Sequence, residues 1–181
     1  NVDAIYHKND KGGGEWEFHR AVAEKFTIEL PPFMAQIKLT PFGHLGIFPE
    51  QRSNWDLILN LPEPTERLEV LNLFAYSGLS SLACLQRGFS VCHVDSSKGM
   101  VDWASENVKA SHLADRPIRY IVDDVIKFVQ REVKRGKRYH GFILDPPTFG
   151  RGAKGEVFKL EDEIARLIEM LMQLEASEAK S

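Results

Sequence analysis

The chain has 181 residues, of which 43% are hydrophobic and 27% charged, and its formal net charge is −3. That length suits one domain with a hydrophobic core, or one domain with a small appendage. No apolar run nears the roughly 20 residues of a bilayer-spanning helix, Asn1 to Asp10 lack the apolar stretch of a signal peptide, and the acidic balance argues against a broad basic grip on nucleic acid.

Lys11-Gly12-Gly13-Gly14 reads as a flexible break. From Glu15 to Leu30, Trp16 and Phe18, then Phe26, Ile28 and Leu30, fall on alternate positions, which is a strand signal. Pro31-Pro32 stops it, and Ile37 with Leu39 resumes it, so this part reads as antiparallel strands. A loop rich in glycine and aromatics follows, Phe42 to Pro49. Ser53 or Asn54 is placed to cap a short helix through Leu59, and Pro62 and Pro64 mark a boundary.

Beyond it the pattern changes to strand, helix, strand, helix. Strands are expected at Leu68–Phe74, Phe89–Val94, Ile118–Val122 and His140–Leu144. Their continuous apolar runs suit a sheet covered on both faces. Helices are expected from Leu79 to Gln86 with Gly88 ending it, from a Ser96 or Ser97 cap to Lys109, from Val125 to Lys134, and from Leu160 to Leu174 with Ile164, Leu167, Ile168 and Leu171 on one face. Alternation of this kind implies an α/β fold with a doubly wound, mostly parallel sheet. Glu175 to Ser181 reads as a solvent-exposed tail.

Cys84 and Cys92 sit in apolar surroundings, without metal-ligand spacing, and read as buried, reduced thiols of a cytoplasmic protein. The histidines form no metal pattern, and His44 reads as a loop histidine. Lys127, Arg131, Lys134, Arg135, Lys137 and Arg138 form a local basic stretch, either a solvated helix face or a nucleic-acid contact.

Ligands of doubly wound sheets bind beyond the carboxyl ends of the strands. After the first strand, Phe74-Ala75-Tyr76-Ser77-Gly78 turns straight into a helix, where backbone N–H groups can meet a carboxylate or phosphate. One glycine in place of three disfavours a dinucleotide site. Asp95, ending the second strand, is placed to accept hydrogen bonds from ribose hydroxyls. Of Asp123 and Asp124, one suits an adenine amino group and the other a helix cap, with Asp124 better placed for the adenine. After the fourth strand, Asp145-Pro146-Pro147-Thr148-Phe149 is a rigid extended turn.

Together these segments resemble class I S-adenosylmethionine-dependent methyltransferases, in particular the large-subunit ribosomal RNA base methyltransferases. Val70 to Gly78 is similar to their first motif, Val94 to Lys98 with Trp103 to Asn107 to the second, Asp124 with Phe128 to the third, and Leu144 to Phe149 to the fourth. Gly46 to Asn54 resembles the loop that precedes their catalytic domain. The resemblance implies a Rossmann-like methyltransferase sheet, usually of seven strands; this sequence departs from it in offering four, preceded by a small antiparallel β segment. The division falls at 1–61 and 62–181. An uncovered last strand would favour a homodimer.

The resemblance also implies roles. S-adenosylmethionine is the cofactor. Phe74 to Gly78 hold its methionine end, Asp95 with Ser96 and Ser97 its ribose, and Asp124 with Asp123 its adenine. Asp145, Pro146, Pro147, Thr148 and Phe149 lie by the methyl group and its acceptor. Gln51, Arg52 and Asn54 close over the cofactor or touch the acceptor, and Lys159 is a weaker candidate. The expected activity is methyl transfer to a base in ribosomal RNA. The alternatives are a small-molecule or protein methyltransferase, or a cofactor-binding remnant without activity. The turn holds no cysteine of the kind a ring-carbon acceptor needs, and Asp-Pro-Pro-Thr-Phe is closer to the guanine-nitrogen branch.

Overall fold

A computed structural model of the chain describes residues 2–9, 13–151 and 157–176. Two antiparallel hairpins come first: β1 (Ala4–Lys8) with β2 (Gly14–Phe18), and β3 (Lys25–Leu30) with β4 (Phe33–Lys38). Gly14 opens β2, so the expected glycine break extends into a strand, while Lys11 and Gly12 lie outside the described residues. Strand β1 is a departure from the sequence expectation. Its side chains are exposed or half-buried, so no apolar alternation announces it.

In β4, Phe33, Ala35 and Ile37 are buried. The strand packs on a later helix, α3 (Lys98–Ala110), through polar clasps. The Gln36 N–H donates to Asn107 Oδ1 at 2.7 Å, and Trp103 Nε1 donates to the Gln36 carbonyl at 3.0 Å.

A 3₁₀ turn (Pro49–Gln51) runs directly into α1 (Arg52–Leu59). Gln51 is the N-cap residue, without a side-chain cap bond, so neither Ser53 nor Asn54 caps the helix. The proline-led turn already supplies the first helical residues, which moves the start ahead of both.

The central sheet has four parallel strands, β5 (Glu69–Leu73), β6 (Ser90–Asp95), β7 (Ile118–Val122) and β8 (Gly141–Leu144), in the order β7-β6-β5-β8. Helices α2 (Leu79–Arg87) and α3 connect the first three strands, and α4 (Val125–Lys134) leads to β8. The chain then forms a short hairpin, β9 (Phe149–Arg151) with β10 (Val157–Lys159), and ends in α5 (Leu160–Met172). The sequence expectation assigned no strand between Leu144 and Leu160.

One apolar cluster gathers α1, α2 and β4 around Leu82, Leu85 and Val108. A second gathers α4 and α5 around Leu71, Leu73, Val129 and Leu167. Each fully buried leucine contributes about 2 kcal/mol of apolar transfer. On α5, Leu167 and Leu171 are buried, whereas Ile168 is exposed, so the buried stripe is narrower than expected.

Beneath the second cluster lies a fully buried carboxylate, Glu132. Tyr139 OH donates to it at 2.5 Å, Arg119 approaches at 3.2 Å and Arg135 at 3.0 Å. Burial works against its ionisation, but these three donors hold its carboxyl below the usual range.

Glu175, read as free tail, pairs in parallel with Tyr139 at the foot of β8; residues 177–181 lie outside the described residues.

Candidate cofactor and acceptor site

The strand order reverses between β5 and β8, where a doubly wound sheet opens a crevice beyond its carboxyl ends. Three contiguous hollows occupy it, and Phe74 lines all of them.

The turn after β5 has an unusual backbone. Phe74 and Tyr76 both adopt left-handed conformations, with φ of 55° and 51°, and Gly78 follows at 85°. Bulky residues pay for this region in strain. Neighbouring bonds hold them there: the Ala75 N–H donates to the Val94 carbonyl at 3.1 Å, and the Tyr76 N–H to Asp95 Oδ2 at 2.9 Å. Asn107 Nδ2 donates to the Ser77 carbonyl at 2.8 Å, and the Ser77 hydroxyl donates to the Gly46 carbonyl. Behind the turn, Asn72 donates to Ser81 Oγ at 2.9 Å, which lies 3.0 Å from His93 Nδ1. His93 is fully buried, and that burial pushes its pKa down to about 4.

Asp95 uses one oxygen for Tyr76 and the other for the Ser97 N–H, at 2.8 Å. Burial raises its carboxyl above the ordinary 3.8, and these two donors partly offset the rise. Each oxygen retains further acceptor capacity, and Asp95 lines the middle and outer hollows. Of the two serines, Ser97 caps α3, and Ser96 lines the crevice.

The inner hollow lies between Ala75–Ser80, Asn72, Gln51, Asp145 and Trp55. Trp55 is 3% exposed, and its Nε1–H has no partner within the protein. Trp55 lines this hollow together with Gly78, Leu79 and Ser80 at the start of α2. The sequence expectation had passed over this residue.

The middle hollow, about 410 Å³, is lined by His44, Phe48, Glu50, Gln51, Tyr76, Asp145, Pro146 and Pro147 among others. Gln51 Nε2 donates to Asp145 Oδ2 at 3.2 Å and joins the 3₁₀ turn to the end of β8. Asn54 in turn donates to Gln51 Oε1 at 2.6 Å.

The outer hollow lies between Asp95, Ser96, Asp124, Val125, Pro147, Gly150 and Phe158. Phe158 packs 4.9 Å from Phe74, centroid to centroid, and is a second lining residue that the sequence did not announce. Asp124 both lines this hollow and caps α4, accepting the Lys127 N–H at 2.9 Å. The cap and the crevice position thus fall to one acid, while Asp123 pairs with Arg131.

Other expected residues sit apart. Thr148 precedes β9 and Phe149 opens it, and neither is among the residues lining these three hollows. Arg52 pairs with Asp56 at 2.8 Å along α1. Lys159 lies 3.9 Å from Asp162; Gly155 and Glu156 beside it lie outside the described residues. Within the basic stretch, Arg131 and Arg135 face Asp123 and Glu132, and Arg138 donates to the Gln173 carbonyl at 2.6 Å. Both cysteines are buried, and burial pushes the Cys84 thiol up to about 12. Among the described residues no helix is long and apolar enough to cross a membrane.

The chain is similar to the solved SAM-dependent methyltransferase from Agrobacterium tumefaciens. The match has a TM-score of 0.93 and 39% identity, over 99% of this chain and 57% of that one. It is also similar to SMU.776, described as a methyltransferase complexed with SAH, with a TM-score of 0.82 and 25% identity, over 97% of this chain and 45% of that one. Among curated proteins, Ribosomal RNA large subunit methyltransferase I of Escherichia coli is 30% identical over 81% of this chain and 39% of its own length. Methyltransferase K/L of Syntrophotalea carbinolica is 27% identical over 78% of this chain. This chain spans 19% of that relative's length. Residues 19–174 match the family described as Conserved hypothetical protein 95, and the chain belongs to that family.

Proposed function

We propose that this protein transfers a methyl group from S-adenosylmethionine to a base in RNA, with ribosomal RNA as the substrate that its relatives' names indicate. One observation carries the cofactor assignment. The crevice offers a buried, unpartnered Trp55 donor at one end and the Asp95 carboxylate beside its middle, spaced along one channel that Phe74 lines throughout. An amino-acid carboxylate, a ribose and a base, in that order, match that sequence of groups.

When bound, S-adenosylmethionine supplies a methyl carbon made electrophilic by its sulfonium. The chain's residues do the rest by placement. Trp55 Nε1 and the N-terminus of α2 receive the carboxylate. Asp95 accepts from the ribose hydroxyls. Asp124 and the Phe74–Phe158 pair flank the base. Gln51 fixes Asp145 at the mouth of the middle hollow, and Pro146 and Pro147 keep that wall rigid.

We place the protein in the cytoplasm, with its thiols reduced.

Incubation with tritiated S-adenosylmethionine and an unmodified transcript of large-subunit ribosomal RNA tests this function. Label in the RNA supports it. Label in protein or small-molecule fractions instead assigns the alternative acceptors, and absence of cofactor binding refutes it altogether.

A further inference from the structure

A recess of about 270 Å³ lies at the amino ends of β5, β6 and β7, the opposite end of the sheet from the crevice. Strand β5 has five residues, which sets the two hollows roughly 15 Å apart along the sheet. The recess shares no lining residue with the three hollows of the crevice. Its lining carries three cations, Arg67, Arg119 and Lys137, against one acid, Glu69.

Each cation is fixed at one point and keeps donors to spare. Arg67 Nε donates to Ser90 Oγ at 3.1 Å, and Ser90 is 3% exposed, so the anchor is rigid while the two terminal nitrogens of Arg67 stay free among the described residues. Arg119 donates to Cys92 Sγ at 3.2 Å, to Glu132 Oε2 at 3.2 Å and to Tyr139 OH at 2.8 Å, all from Nη2. Its Nε–H is buried without an acceptor, although the side chain as a whole is 40% exposed. An unpaired buried donor is rare, and marks a place where an ion or water completes the bonding. Lys137 is placed by the end of α4. Gly136 turns there at φ of 64°, its N–H donating to the Val133 carbonyl at 3.0 Å, and the Lys137 N–H donates to the Glu132 carbonyl at 3.1 Å. Among the described residues no acid lies within ion-pair distance of Arg67 or Lys137.

The fold thus brings one member of the basic stretch to two arginines that sequence order keeps far from it. Tethered guanidinium groups match phosphate oxygens in pairs, and a lysine adds a point charge. A phosphate presents three acceptor oxygens to such a set, where a carboxylate presents two. We infer that the recess at the amino ends of β5, β6 and β7 binds a phosphate group, carried by a nucleotide or by an RNA strand and held by Arg67, Arg119 and Lys137. The site stands independently of the methyl-transfer function.

Phosphorus-31 NMR of inorganic phosphate and of uridine 5′-monophosphate, titrated with the full chain at low ionic strength, tests the site. Saturable binding of both is expected, and uridine should not compete. Arg67→Gln and Lys137→Gln should each weaken the binding about fivefold or more. Both variants should keep their Tm within about 3 °C of wild type and their affinity for S-adenosylhomocysteine within about threefold, which separates a lost ligand contact from a lost fold. Displacement of the bound phosphate by a hexauridylate without a terminal phosphate would support the site with an RNA backbone as its source. Displacement by uridine 5′-monophosphate alone would support it with a nucleotide as its source. Binding indifferent to both substitutions, displacement by equimolar acetate, or no saturable phosphate binding up to about 10 mM would each overturn the inference.

Discussion

Asp95 Oδ2 accepts the backbone N–H of Tyr76 at 2.9 Å, so the acid ending β6 holds the left-handed turn that ends β5. Cofactor binding and turn geometry therefore depend on one carboxylate. Burial raises its pKa above 3.8. On protonation it keeps fewer acceptor sites for ribose hydroxyls. Affinity for S-adenosylhomocysteine should be constant near neutrality and fall as pH drops through a midpoint above the ordinary carboxylate value. Calorimetry across pH 4 to 8 measures this. The linkage sign for folding is the reverse: the folded state holds this proton more tightly, so Asp95 favours folding less as pH rises through its raised pKa.

Trp55→Phe keeps the ring's bulk and deletes the unpartnered N–H. A hydrogen bond to a charged group contributes about 1.5–3 kcal/mol, so affinity for S-adenosylhomocysteine should weaken roughly tenfold to a hundredfold. The unliganded protein loses no hydrogen bond, and its Tm should stay within about 3 °C of wild type. Equal loss of stability and affinity would remove Trp55 from the site.

Gly46→Ala places a Cβ against the Trp103 ring at φ of +87°. The loop must shift, which also breaks the bond from the Ser77 hydroxyl to the Gly46 carbonyl. A destabilisation of about 2 kcal/mol is expected, lowering Tm by roughly 4–8 °C in a thermal melt.

Two buried groups, His93 on β6 and Glu132 on α4, make the fold acid-sensitive in separate windows. His93 has its pKa lowered to about 4 by burial, so the unfolded chain binds a proton below pH 6.5 that the folded one refuses. Stability should fall by about 2 kcal/mol from pH 7 to pH 4.5, and His93→Gln should flatten that slope in urea melts. Glu132 has a lowered pKa, so its contribution is present above 4.5 and is lost as pH falls further. Glu132→Ala, which strands Arg119 and Tyr139, should cost about 3 kcal/mol at neutral pH.

Much of the central sheet was legible in the sequence, because buried parallel strands announce themselves as apolar runs. Ile118–Val122 and Val125–Lys134 are bounded as the periodicity predicts. Strand β1 was not legible, since its pairing with β2 leaves both faces largely solvated and imposes no alternation. The β9–β10 hairpin has only three residues in each strand, too few for a period to show. Within the site, the turn, Asp95 and Asp145 follow directly from their places at strand ends. Trp55 did not, because an indole on a helix signals core, and only the tertiary fold leaves its N–H without a partner. Phe158 likewise reaches the crevice only through the hairpin.

Calorimetric titration of wild type and Asp95→Ala with S-adenosylhomocysteine tests the cofactor assignment most directly. Saturable one-to-one binding by the wild type, weakened at least a hundredfold in a folded Asp95→Ala variant by loss of the charge-accepting bonds to the ribose, is the expected result. Equal binding by both proteins, or none by a folded wild type, would contradict the placement of the cofactor in this crevice.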